Sequence, residues 1–179
     1  MNENKLIQVA LDEGFHQVKI IDTDKIVFDS SFRPYCEENL CGQYAANYSC
    51  PPDCGTPEEM KKRVLKHRKA LVLQMKQEIW DFSDKEVFKK SKQAHNSSAI
   101  RVLDRIREMG HECFMVGSSG CNLCNPCKIQ IGEACSFPNY RFSCMSAYCI
   151  YVKKLALDCE MEYDYKDGIL PFFGMIVYD

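Results

Sequence analysis

The 179-residue chain is short of net charge: 23 Lys and Arg against 25 Asp and Glu leave a formal −2, with a pI near 6.1. That balance gives no global electrostatic reason to bind nucleic acid. No apolar run approaches the ~20 residues needed to span a bilayer, so no membrane partner is expected. Nor does a basic stretch followed by an apolar core open the chain, which argues against a signal peptide and a secreted disulfide scaffold. There is no internal repeat, low-complexity tract or Gly/Ser linker. The segment Gly117 to Gly120 lacks the lysine and further glycines of a phosphate-binding loop. His16, His67, His95 and His111 share no i, i+4 spacing and read as surface or capping residues. No catalytic triad is visible. One residue type is in excess: the chain has twelve cysteines. In a reduced, cytoplasmic setting they read best as metal ligands.

The most specific group is Cys121, Cys124 and Cys127, followed after seven residues by Cys135 and then Pro138. Three thiols at two-residue gaps with a remote fourth suit a cube, because one tight loop reaches three corners and a distant residue closes the last. Zinc sites more often use two separated Cys-x-x-Cys knuckles around one tetrahedral ion. The pattern therefore favours a [4Fe-4S] cluster, with zinc as the alternative. A second group is Cys36, Cys41, Cys50 and Cys54. Pro51 and Pro52 stiffen that loop, and Gly42 permits a close approach to a ligand. Its spacings match no specific signature. It reads as a second metal or cluster site, a contributor to the first centre, or a structural or redox-active loop. Cys36, Cys41 and Cys50 are the better ligands, and Cys54 is a fourth or a spare.

The hydrophobic pattern predicts a single α/β domain over residues 1–179, with a mixed β-sheet, flanking helices and two cysteine-rich metal-binding loops. Alternation predicts a strand over 16–22, and the apolar Ile26 to Phe28 a second short strand or an irregular segment. Residues 31–57 read as an irregular loop. Thr56, Pro57, Glu58 and Glu59 open a helix running to about His67 or Lys69. Residues 70–75 read as a central strand. A capping box at Ser83 to Glu86 opens a helix towards Met109, with Ile100, Leu103, Ile106 and Met109 on one face and Gly110 as terminator. A strand at 113–116 then completes a parallel crossover, with the cysteine loop at its carboxyl end. Ser143 is expected to cap a helix from about Met145 to Leu157, and 169–178 to form the last strand.

Together the two cysteine groups resemble the family called domain of unknown function 2284, described as predicted metal-binding proteins. The resemblance rests on Cys36, Cys41, Cys50, Pro51 and Pro52 with Thr56 to Glu59, and on Cys121, Cys124, Cys127, Gly132, Cys135 and Pro138 with Ser143, Ser146, Ala147, Tyr148 and Ile150. It spans about residues 16–155. It implies metal ligands at Cys36, Cys41, Cys50, Cys121, Cys124, Cys127 and Cys135, and no reaction. Cys54, Cys144 and Cys149 exceed the pattern, the last standing where a glycine is more usual.

Cys113 and Cys159 read as core or surface thiols. Cys144 and Cys149 are expected near a helix start, where the dipole lowers a thiol's pKa. The basic stretch from Lys61 to Lys69 and the arginines 101, 105 and 107 read as solvated faces, and Trp80 with Phe82 as packing. Arg141, just past the cysteine loop, is placed to balance thiolate charge, raise a reduction potential or hold an anion. Three functions remain open. The first is a cytoplasmic iron–sulfur protein with one or two [4Fe-4S] clusters, passing electrons to a redox partner protein. The second is an enzyme with an open-coordination cluster at the first loop. The third is an interaction module whose zinc supplies folding energy.

Overall fold

The computed structural model describes residues 2–179. Ten elements follow one another: α1 (Glu3–Asp12), β1 (Gln17–Asp22), α2 (Arg33–Glu37), α3 (Pro57–Leu65), β2 (Lys69–Glu78), α4 (Lys85–Glu108), β3 (Cys113–Gly117), β4 (Ser143–Cys144), α5 (Val152–Asp158) and β5 (Ile169–Tyr178). The strands form one mixed sheet in the order β1-β2-β5-β3-β4.

The crossover from β2 through α4 to β3 has the expected directions but not the expected neighbours. The two strands are not paired, because β5 lies between them and pairs antiparallel with both. Ten residues of β5 match ten of β2, from Lys69 opposite Tyr178 to Glu78 opposite Ile169. The other side of β5 takes β3, with Cys113 also opposite Tyr178. The centre of the sheet is thus supplied by the last strand, and β2 is its interior neighbour.

Alternation along these strands feeds two cores. Val72, Val116, Phe173, Met175 and Val177 pack against Met60 and Val64 of α3 and Leu155 and Ala156 of α5. Leu71, Leu73, Met75, Met115, Ile176 and Tyr178 pack against Leu6, Val9 and Ala10 of α1 and Ala99, Val102, Leu103 and Ile106 of α4. A sheet covered on both faces explains why β2 reads as a continuous apolar run.

Helix starts follow side-chain chemistry. At α3 the Glu59 N–H donates to Thr56 Oγ1 at 3.2 Å while the Thr56 N–H donates to Glu59 Oε2 at 2.8 Å, the reciprocal capping box. At α4 the cap is Asp84 rather than Ser83: Asp84 Oδ1 accepts from the Glu86 and Val87 N–H groups at 3.0 and 3.1 Å. Ser83 is occupied with Asp81. The buried face of α4 is also rotated from the expected one, with Ile100 and Met109 only partly covered. Gly110, at φ +85°, ends the helix as expected.

The helix expected over 145–157 is shorter, beginning at Val152. Ser143 and Cys144 instead lie alongside β3 as β4, and the Met145 N–H donates to the Gly117 carbonyl at 3.1 Å. Cys149 sits at φ +56°, a left-handed conformation that interrupts any helix through it. The same fact explains why a glycine suits this position. Ile26 to Phe28 contributes only an isolated antiparallel bridge between Phe28 and Ile150. Trp80 covers Gly168, where an added Cβ would come within 2.4 Å of its ring, yet stays 73% exposed.

His95 departs furthest from its expected surface role. It is fully buried on α4, edge-on to Phe15 at 5.2 Å, and neither ring nitrogen has a hydrogen-bond partner. The ring occupies the space a side chain at Gly174 would need: a Cβ there would lie 2.5 Å from His95 Cε1 and 2.9 Å from the Val116 carbonyl oxygen. Burial lowers the His95 pKa from its ordinary 6.5 to about 4. Between those values the unfolded chain binds a proton that the folded chain does not. The associated stability is therefore full above pH 6.5 and lost as pH falls towards 4. From pH 7 to pH 5 the loss is about 2 kcal/mol. Urea unfolding at both pH values should show this difference in the parent and not in His95→Leu; equal slopes would contradict it.

Candidate metal centre

All twelve cysteines are free thiols. The fold gathers most of them beyond the carboxyl end of β3, in two adjoining groups. Cys113 and Cys159 lie apart, each buried in a core as expected.

The later group forms on the loop that leaves β3. Cys121, Cys124, Cys127 and Cys135 line one cleft together with Asn47, Tyr48, Leu123, Phe137 and Arg141. The four thiols are half-buried. Cys121 and Leu123 pack against the α4-side core, anchoring the start of the loop. Gly132, at φ +70°, turns the chain back towards Cys135. Burial pushes the Cys121 thiol up, and the neighbouring Cys135 and Cys124 thiols act in the same direction. Arg141 does line this cleft, with its guanidinium 5.8 Å from the centre of the Tyr48 ring.

The earlier group is built around a buried arginine. Arg33 opens α2, and its guanidinium donates from Nη1 to the Gly55 carbonyl at 2.9 Å and from Nη2 to the Ala147 carbonyl at 2.8 Å. Its Nη2 also contacts Met60 Sδ at 3.5 Å, and its Nε is buried without a partner. Cys36 lies three residues on in the same short helix, a near-full turn away. Cys41 is exposed beside Gly42, which is at φ +70°. Cys50 is buried next to the fully buried Ser49. Gly120 presses on it so closely that an added Cβ would lie 3.0 Å from Cys50 Sγ. Burial raises the Cys50 thiol to about 12 and the Cys36 thiol to about 11. Cys54 is buried with its sulfur 3.4 Å from Met60 Sδ, the same sulfur that Arg33 Nη2 contacts, and it belongs to the α3-side core.

Cys144 and Cys149 are not at a helix start. Cys144 lies in β4 and Cys149 in the turn before α5, and burial pushes the Cys144 thiol up rather than down. The dipole argument fails because the helix that would carry it begins at Val152.

The two groups are stitched together through residues that the sequence did not single out. The Cys121 N–H donates to Ser49 Oγ at 2.8 Å, and Ser49 Oγ donates to Asn47 Oδ1 at 2.9 Å. Asn47 Nδ2 returns to the Cys121 carbonyl at 2.8 Å. Tyr48 Oη donates to the Glu133 carbonyl at 2.8 Å, and Gln130 Nε2 to the Ala46 carbonyl at 3.0 Å. Nothing in the spacing of Asn47 to Ser49 announces this. Their one sequence signal is that they immediately precede Cys50.

Among the described residues, no three thiol, imidazole or carboxylate groups already close around one point. Neutral thiols have no reason to converge until a metal displaces their protons. The donor set nevertheless fits a metal–thiolate centre. A buried guanidinium that bonds only carbonyls and a thioether, with one N–H unused, calls for an anion. Thiolates bound to metal would supply it.

Residues 19–178 match the model of domain of unknown function 2284, described as a predicted metal-binding protein. The chain belongs to that family. Comparison with curated proteins and with solved structures finds no match. The family match covers both cysteine groups and every strand except the first two residues of β1. Metal binding is thus the family's predicted property, and the two thiol groups are where this member concentrates its soft ligands. Among the described residues, no helix is long and apolar enough to cross a membrane.

Proposed function

We propose that this protein is a cytoplasmic iron–sulfur protein that carries single electrons. In this reading Cys121, Cys124, Cys127 and Cys135 hold one [4Fe-4S] cluster, and the loop from Cys36 to Cys54 supplies a second centre. Such a cluster supplies a reversible one-electron couple whose potential follows net charge, hydrogen bonds to sulfur and solvent exposure. One electron enters from a donor redox protein and one leaves to an acceptor, with no bond made or broken in the protein.

The observation that carries this reading is the join between the two thiol groups. Ser49 adjoins Cys50 in the chain and accepts the Cys121 N–H at 2.8 Å, so one hydrogen bond links a candidate ligand of one centre to the neighbour of a ligand of the other. A zinc module that only staples loops has no use for coupled centres. The surrounding residues suit a redox role. Leu123 and Phe137 give the cleft an apolar lining, and Arg141 brings a positive charge to it. That charge favours added negative charge and so raises the reduction potential.

The test is iron, acid-labile sulfide and zinc per chain on anaerobically purified protein, with visible spectra before and after dithionite. About eight irons and eight sulfides, with absorbance near 400 nm that bleaches, is the expected result for two cubes. About four would leave one cube and a different site at the Cys36 loop. Stoichiometric zinc without colour would select the interaction module.

A further inference from the structure

The first thiol group has a member that neither the cysteine spacing nor the family pattern assigns. Cys144 is more than ninety residues from Cys50 in sequence, but β4 places it opposite Gly117 at the end of β3. Gly120, three residues beyond Gly117, is the residue that presses on Cys50 Sγ. The turn that leaves β3 therefore brings Cys144 and Cys50 to the same end of that strand.

Two further features single it out. The Ala147 N–H donates to Cys144 Sγ at 3.4 Å, the kind of N–H···S contact that steadies a thiolate. The same Ala147 offers its carbonyl to Nη2 of Arg33, which stands three residues before Cys36 in α2, so Cys144 is linked to the Cys36 side of the group as well. Cys54, the fourth cysteine of the local sequence, has its sulfur already engaged. Its thiol is buried 3.4 Å from Met60 Sδ, whereas Cys144 packs against the same core but stays partly exposed.

We propose that Cys144, and not Cys54, is the fourth ligand of the centre held by Cys36, Cys41 and Cys50. The arrangement then repeats the logic of the other centre, with three thiols from one loop and one remote thiol closing the site. It also makes the site fully thiolate-ligated, which leaves no open iron for substrate. The inference rests on the reading of the Cys36 loop as a metal centre, and the experiment separates the two.

Four proteins are compared anaerobically as purified: the parent, Cys36→Ala, Cys54→Ala and Cys144→Ala. Metal and sulfide per chain and the low-temperature EPR of the reduced protein are read. Cys36→Ala defines the signature of losing this centre, expected as about half of the parent's metal. Cys144→Ala is expected to reproduce that signature, and Cys54→Ala to keep the parent's content and spectrum. The reverse pattern overturns the assignment. A Cys36→Ala protein with the parent's metal would instead sink the centre itself, and the inference with it. Should Cys144→Ala fail to fold, Cys144→Ser keeps the side-chain volume and must either lose metal or shift the spectrum. Unchanged metal and spectrum in the serine variant overturn the proposal.

Discussion

Cys124→Ala is expected to lose about half of the iron and sulfide of the purified protein, from roughly eight of each to roughly four. Cys159→Ala should leave both unchanged. The contrast follows from where the two thiols stand. Cys124 lines the cleft shared with Cys121, Cys127 and Cys135 and is half-exposed. Cys159 is 4% exposed at the end of α5, packed in the α3-side core away from either group. Removing its sulfur leaves a small void costing about 1 kcal/mol, with no consequence for metal. Removing Cys124 takes one corner from a site whose binding energy is also folding energy. The loop from Cys121 to Arg141 has little regular structure, only one short helical turn at Lys128–Ile131. Loss of the cluster should therefore open it to proteolysis while the sheet stays intact. Equal iron in the parent and both variants would show that the ligand assignment is wrong. Iron lost completely from Cys124→Ala would mean that both groups serve one shared centre.

Much of this arrangement was legible in the sequence, for reasons specific to each element. Thr56 to Glu59 carried a complete capping box, so the start of α3 was read to the residue. Strands β2, β3 and β5 were visible because a sheet covered on both faces needs uninterrupted apolar runs. Their order was not, since the placement of β5 between β2 and β3 depends on pairings across the whole chain. The α1 helix was missed although Leu6, Val9 and Ala10 stand at the helical i, i+3, i+4 spacing, because that single set is not repeated along its ten residues. The 145–150 turn was misread as helix because apolar content cannot reveal a left-handed residue such as Cys149. At the proposed metal centre, spacing picked out the candidate local thiols. What spacing could not show was which remote groups the fold would deliver. Cys144 arrives through strand pairing, and Arg33 through carbonyls at Gly55 and Ala147, each distant in sequence.

Arg33 gives the sharpest test of whether that first centre is charged. Its guanidinium is 9% exposed, and its hydrogen bonds go to two carbonyls and a thioether rather than to a carboxylate. The guanidinium pulls the Cys36 and Cys54 pKa values down against the larger upward push of burial. With the centre empty those thiols are neutral at pH 7, and Arg33 is a buried cation without an opposite charge. With metal bound, the same guanidinium faces an anionic thiolate shell. Arg33→Met removes the cation and keeps most of the volume. In the metal-free protein it strands two carbonyls, each worth about 1–3 kcal/mol, but relieves an uncompensated charge. The two effects oppose, and the net cost should be small. In the loaded protein both effects act together, and breaking the buried pair should cost about 3–5 kcal/mol, with metal lost from this centre first. Arg33→Lys, which keeps the charge without the fork, should retain metal at reduced stability. Urea unfolding of loaded and chelator-treated proteins measures the difference directly. If Arg33→Met costs the same in both states, Arg33 is a strut between α2, α3 and the 145–150 turn, and its charge serves no bound anion.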